Sequence, residues 1–449
     1  VKTTFDLQTG VEHDVTQHGV IGDGVALNTH AFQSLIDRCG EDGGGTLFFP
    51  PGRYLTGGLI LRNRVCLNLS AGATVLGSSK LADYHHYNPS PVPFPEGYEG
   101  VRALISAVDC KQISIRGEGT IDGQGATFEV YSGVRGGRPR NLWFARCSGV
   151  RVEGIRLRNS GFWMQHYICC TNVRLSGLDV WNHGGANNDG IDIDGCRDVV
   201  IEDCRVDSSD DAICLKSGNE SATENVIVMN CSTRTHCNHF KTGTESRGGF
   251  RNIQVNGLTM TPSVVRESYV GTEGADWRGA CGIALCAVDG GSLSDISICN
   301  ISMGEVRVPL FIMLGDRGVC PPGVKKAEKT AIAKNISLSE IRALGAGPQG
   351  CYVIGLPKLP IRDIVLENSS FEYEGWGASP FVVREVPSRH DAYPSCYTFG
   401  DLPAFGVFLR DVDGVRLSHV DFRTLASDVR PAFCWQDARN LRFDGVTVA

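Results

Sequence analysis

A short unit recurs along the chain: a polar residue or glycine, then apolar–any–apolar, then a turn residue and a second short apolar strand. Copies begin at Gln112-Ile113-Ser114-Ile115, Gly149-Val150-Arg151-Val152, Asn172-Val173-Arg174-Leu175, Asp198-Val199-Val200-Ile201 and Asn225-Val226-Ile227-Val228. They continue at Asn252-Ile253, Asp295-Ile296, Asn335-Ile336, Asp363-Ile364, Gly414-Val415 and Asn440-Leu441. From Val150 through Val173, Val199 and Val226 to Ile253 the numbering advances by 23, 26, 27 and 27; wider steps elsewhere mark insertions. Alternation over four residues gives a strand with one face in and one face out. Several such strands per period predict an all-β fold, a right-handed parallel β-helix. A leucine-rich repeat has a similar period but needs fixed leucines and a helical half, which are absent. Strands of successive coils stack about 4.8 Å apart, so residues one period apart become neighbours.

The start of the chain breaks this rhythm. Ala31, Phe32, Leu35 and Ile36 fall on one helical face, with a possible N-cap at Asn28 or Thr29. Gly43-Gly44-Gly45 and Pro50-Pro51-Gly52 interrupt it, and Leu47-Phe48-Phe49 reads as a buried strand. A solenoid must cover its open apolar end, and an amphipathic helix does so. The reading is one domain over 1–449, with 1–60 as cap and first strands and 61–449 as coils with loop insertions.

Composition narrows the function. The 55 glycines against 19 prolines suit many tight turns, and a mean hydropathy of −0.09 allows a sizeable core. A net charge of −7 without a Lys/Arg cluster speaks against nucleic acid or an anionic membrane as partner. No apolar run reaches the ~20 residues of a membrane span. The 18 cysteines show no pairing framework and no zinc-knuckle spacing, so most are expected to be small buried hydrophobes, reduced.

Two acidic groupings carry the chemistry: Asn187-Asn188-Asp189-Gly190-Ile191-Asp192-Ile193-Asp194, and Ser208-Ser209-Asp210-Asp211-Ala212-Ile213-Cys214-Leu215-Lys216-Ser217-Gly218. Asp189 and Asp210 are 21 residues apart, about one coil. Adjacent aspartates in an apolar strand pattern oppose each other's ionisation. That cost has a use if one carboxyl must stay protonated as an acid while others stay ionised. Inverting glycosidases need such a set, with acid and base about 6.5–9.5 Å apart to admit water. The bland alternative is an Asx turn or a calcium site at a coil corner, and Asp192 is read as structural.

At these residues the chain resembles glycoside hydrolase family 28, the polygalacturonases and their relatives. The family's Asn-Thr-Asp is matched by Asn187-Asn188-Asp189 and its Asp-Asp by Asp210-Asp211. The similarity begins at Gly22-Asp23-Gly24 and Pro50-Pro51-Gly52-x-Tyr54 and continues through Gly117-Glu118-Gly119-Thr120-Ile121-Asp122-Gly123. The resemblance implies inverting hydrolysis of pectin-type saccharides, with Asp210 as general acid and Asp189 and Asp211 activating water. It requires no cofactor and no metal, and the partner is an oligosaccharide or polysaccharide. It favours a secreted or periplasmic setting, while the unpaired-looking cysteines leave the cytoplasm open.

Two departures stand out. Where the family has Gly-His-Gly, this chain has Thr235-His236-Cys237-Asn238-His239, with Cys237 in the histidine's place. Where the family has Arg-Ile-Lys, whose charges hold a galacturonate carboxylate, Ala284 and Cys286 stand here. The resemblance thus implies retained hydrolytic machinery and a rebuilt sugar pocket. Candidates for that pocket are Asn187, His183, Lys216, His236, His239, Lys241, Glu245 and Arg317, with Trp277 a further one. Lys216 and Lys241, 25 residues apart, are read as replacement cations or else as snorkelling surface lysines. Insertions near 262–278, 317–329 and 386–403 are expected to wall the cleft and favour attack at a chain end. A β-helix lyase or uronate epimerase, and a non-catalytic binding solenoid, remain the rival readings.

Overall fold

The computed structural model describes residues 10–88, 90–93, 100–128, 137–265, 278–321, 323, 325, 331–376 and 385–449. The chain forms two compact units, Val1–Asp210 and Asp211–Ala449. Each consists of parallel strands stacked coil on coil, so the expected parallel β-helix is what the sequence adopts.

In the first unit three ladders run side by side. One joins Gly45–Phe49, Val65–Leu69, Lys111–Gly117, Ser148–Glu153, Thr171–Ser176 and Arg197–Glu202. A second joins Gly52–Thr56 through Arg205–Ser208. The third holds Ala103–Val108, Arg140–Ala145, Gln165–Ile168 and Ile191–Asp194. The repeat is in register: Ile113, Val150, Val173 and Val199 stack directly. In the second unit Val226, Ile253, Ile296, Ile336, Ile364, Val415 and Leu441 do the same.

The polar lead residue of the repeat has a backbone cause. Gln112, Gly149, Asn172, Asp198, Asn225, Asn252, Asp295, Asn335, Asp363, Gly414 and Asn440 all take positive φ. The left-handed region is open to glycine and tolerated by Asn and Asp, whose short side chains bond locally, and it turns each coil's corner. Some of these side chains also stack along the corner: Asn252 Nδ2 donates to Asn225 Oδ1 at 2.8 Å and Asn335 Nδ2 to Asp295 Oδ1 at 2.8 Å.

Thr29–Glu41 is the expected helix, with Phe32, Leu35, Ile36 and Cys39 buried. Asn28 is its N-cap, but its side chain does not cap. Instead Asn28 Oδ1 accepts from the Ile21 N–H at 2.8 Å, tying down the preceding loop. Phe32, Phe49 and Tyr54 then close an aromatic cluster beneath the helix, with ring centres 5.2–6.2 Å apart. None of the described helices is long and apolar enough to cross a membrane. The 18 cysteines all lie among the described residues, no disulfide joins them, and most are buried, as their composition suggested. In one column the N–H of Cys147 points at Cys170 Sγ (3.4 Å) and that of Cys170 at Cys196 Sγ (3.2 Å).

Candidate active site

The first unit supplies Asp189 and Asp210. The turn before Ile191–Asp194 is fixed by two amides. Asn182 Oδ1 accepts from the Ser160 N–H and from Asn188 Nδ2 (3.0 and 3.1 Å), while Asn182 Nδ2 donates to the Asp189 carbonyl at 2.8 Å. Asn188 Nδ2 also donates to the Ser160 carbonyl at 2.9 Å. Asn187 sits at φ 57°, a strained corner that asparagine tolerates. The second acidic segment hangs on this turn: the N–H groups of Ser209 and Asp210 donate to the carbonyls of Asn182 (3.0 Å) and Asn188 (3.4 Å). The 21-residue separation therefore does bring Asp210 against the Asp189 turn. Asp189 is buried and Asp210 half-buried.

His183 Nε2 lies 2.9 Å from Asp207 Oδ1. Asp192 and Asp194 alternate with Ile191 and Ile193 on one strand and are both buried, and His166 Nε2 stands 3.4 Å from Asp194 Oδ2. Register places His166 beside Asp192.

The second unit supplies Asp211, which is held by three donors. Asn238 gives its Nδ2 (2.5 Å) and backbone N–H (3.2 Å) to Oδ1, and Lys241 Nζ reaches Oδ2 at 2.8 Å. Burial works to raise this carboxyl, but the Lys241 and Lys216 ammoniums and the hydrogen bonds outweigh it, and Asp211 lies below its ordinary value of 3.8. Conversely, burial works to lower Lys241, and Asp211 overrides it, holding the ammonium well above 10.5. Asp211 is thus a buried carboxylate held in its ionised form at neutral pH. The Cys237 sulfur lies within 4.8 Å of one of its oxygens.

Lys216 and Lys241 both act on Asp211, and Glu245 links them to Arg317, but the two lysines are not a matched pair. The coil here is 27 residues, so Lys241 pairs with Cys214. The register then slips between Leu215 and Ser217, and the extra residues on the facing strand bring Glu245 to 3.4 Å from Lys216. Neither lysine is the snorkelling surface residue that was one reading: both are buried. Arg317 donates Nε and Nη2 to the two oxygens of Asp289, at 2.9 and 2.6 Å. Asp289, Asn238 and Tyr393 are the participants that sequence reasoning missed. Asp289 and Arg317 leave consecutive strands, Cys281–Ala287 and Val308–Leu314, by two and three residues; extending the register sets Asp289 opposite Asp316, one residue short of Arg317. His236 Nε2 is 2.7 Å from the Val265 carbonyl, and His239 Nδ1 is 2.9 Å from Thr233 Oγ1.

One outward row of the second unit runs Cys214, Lys241, Ala284, Phe311, Tyr352, Phe408. Its charged part ends at Lys241. Beyond Lys241 the segment 386–402 packs onto it, with Val386, Cys396, Phe399 and Leu402 in one apolar cluster with Ala284, Phe311, Tyr352 and Phe408. Arg410 Nη1 pins the segment at the Val386 carbonyl (2.9 Å), and the Asp316 N–H at the His390 carbonyl (2.5 Å). Its tip places the exposed Tyr393 ring 5.6 Å from Lys241 Nζ. Of the three insertions, 386–403 thus docks against this row. The other two insertions, 262–278 and 317–329, lie partly outside the described residues, and Trp277 wholly so. A separate cleft of about 620 Å³ near Lys358, Arg362, His390 and Asp437 contains none of the predicted site residues.

The description "Glycosyl hydrolases family 28" belongs to a family model that matches residues 95–392, well over half of the chain. A probable polygalacturonase of Vitis vinifera is 31% identical over 214 residues, which cover 44% of this chain and 43% of that relative. The match thus spans less than half of the relative's own length. Among solved structures, the family 28 exopolygalacturonase of Yersinia enterocolitica aligns with a TM-score of 0.73 at 19% identity, covering 96% of this chain and 78% of that one. A hyperthermoactive exopolygalacturonase from Thermotoga maritima aligns with 0.67 at 21% identity, covering 81% and 87%. These two likenesses establish the fold.

Proposed function

The chain belongs to family 28 of the glycosyl hydrolases, and from that premise we propose that it hydrolyses glycosidic bonds of pectin-type oligosaccharides with inversion, working from a chain end. Asp210 is the general acid: it is half-buried, so it can meet a leaving oxygen. Asp189 and Asp211 orient and deprotonate the attacking water. The observation that carries this division of labour is the charge state of Asp211. Lys241 and Asn238 keep it anionic, and a fixed negative charge next in sequence to Asp210 favours the protonated form of its neighbour. An acid kept protonated beside a base kept ionised is what inversion requires.

Chain-end attack is supported by the wall over Ala284, Phe311 and Tyr352, which among the described residues covers the row beyond Lys241. The names of the exopolygalacturonase relatives point the same way. Product analysis on a panel of pectic oligosaccharides tests the proposal. New reducing ends without unsaturation are expected, and Asp210→Asn should lose about 100- to 10,000-fold in rate, the usual worth of a general acid. A product absorbing at 235 nm would instead indicate a lyase, and an unimpaired Asp210→Asn would refute the assignment.

A further inference from the structure

Building on the glycosidase reading, we infer that the sugar ring docking beside Asp211 carries no carboxylate, so that the substrate is neutral at that position. Charge matching within the second unit leads there. Lys241 and Lys216 act on Asp211 and Arg317 acts on Glu245, and each of these three cations is already bound to an acid: Lys241 to Asp211 at 2.8 Å, Lys216 to Glu245 at 3.4 Å, Arg317 to both oxygens of Asp289. Three positive charges meet three negative ones, and the cluster sums to zero. Its members also fix one another's ionisation, since Glu245 is held below and Arg317 above its ordinary value even though burial opposes both shifts.

A uronate entering this cluster would bring a fourth negative charge beside the ionised Asp211. None of these three cations could match it in full without giving up its present partner, which would leave a carboxylate buried without its cation. The next positions on the face, Ala284 and Cys286, are buried and carry no charge. Hydroxyl groups meet no such penalty. A lysine ammonium has three donors and a carboxylate about four acceptor sites, so paired ions can still bond to neutral hydroxyls. The exposed ring of Tyr393 beside Lys241 offers a flat apolar surface suited to a sugar face.

The rival anchor for a carboxylate is Arg307, half-buried with its guanidinium 5.0 Å over the Tyr397 ring. The test therefore compares oligogalacturonates with the same oligosaccharides after chemical reduction of each carboxylate to a primary alcohol, leaving the linkage unchanged. The reduced substrate should have a kcat/KM at least about tenfold higher. Glu245→Gln, which releases Lys216, should move that ratio about tenfold or more toward the acidic substrate; an unmoved ratio would overturn the ion-pair explanation. Preference for the carboxylated substrate, abolished in Arg307→Ala, would overturn the inference in favour of Arg307. If neither substrate is cleaved, calorimetric titration of the Asp210→Asn protein separates the two ideas. Binding of the reduced oligosaccharide alone would support the neutral subsite while refuting hydrolysis. Tighter binding of the acidic one, or binding of neither, would overturn the subsite itself.

Discussion

Asp211 and Lys241 define the residue scale of this molecule, because each keeps the other charged where water is excluded. Removing one partner of such a pair typically costs about 3–5 kcal/mol, since the other is left buried and uncompensated. Lys241→Met should therefore lower the unfolding free energy by about that amount in urea titration and reduce turnover as Asp211 loses its fixed charge. The pH dependence has a definite sign. Asp211 is depressed below 3.8 and Lys241 raised above 10.5. Their contribution is complete between those ordinary values. It is lost as pH falls through the folded value of Asp211, and again as pH rises through that of Lys241. The stability gap between wild type and Lys241→Met should stay flat across neutral pH and shrink below about pH 4. The three candidate aspartates were legible from their spacing and their unlikely place in an apolar pattern. Their partners were not, because a contact one coil away depends on whether that coil holds 25 or 27 residues, and on a register slip at Leu215 that no periodicity reveals.

At the scale of elements, the repeat was legible because one backbone demand recurs in every coil. A left-handed corner selects Gly, Asn and Asp, and the strand after it must alternate. Asn225 illustrates both parts: it stands at φ 55° and accepts a hydrogen bond from Asn252. Asn225→Val should destabilise the second unit by at least about 1–2 kcal/mol, the cost of a left-handed conformation for a residue without local polar compensation, and thermal unfolding would register it. The helix Thr29–Glu41 was equally readable from its apolar face. The wall 386–402 could be placed only as an insertion, since an irregular segment has no period and its docking rests on which apolar side chains it finds. Phe399 is central to that docking, with its ring 6.3 Å from those of both Phe311 and Tyr352. Phe399→Ala, at the usual cost of about 3–5 kcal/mol for an emptied aromatic site, should loosen the wall. Product-size analysis on a polymeric substrate should then show more internal cleavage, whereas unchanged terminal products would mean that the wall does not set the mode of attack.

For the whole molecule, family membership and fold are secure on independent grounds: the family match over residues 95–392, and strands stacked in parallel register through both units. The proposed sugar preference rests on chemistry seen in the chain itself: Ala284 and Cys286 are buried and uncharged, and the nearby cations are committed to Asp211, Glu245 and Asp289. A net charge of −7 likewise gives a polyanion no long-range attraction. Inverting catalysis depends on an acid and a base acting from opposite sides of one bond. The most direct test is proton NMR of the anomeric configuration in the first-formed product, before mutarotation, on whichever oligosaccharide the enzyme accepts. The expected result is a product of inverted configuration, absent with Asp210→Asn. A product of retained configuration would require a covalent glycosyl–enzyme intermediate, and would contradict the proposed roles of Asp189, Asp210 and Asp211.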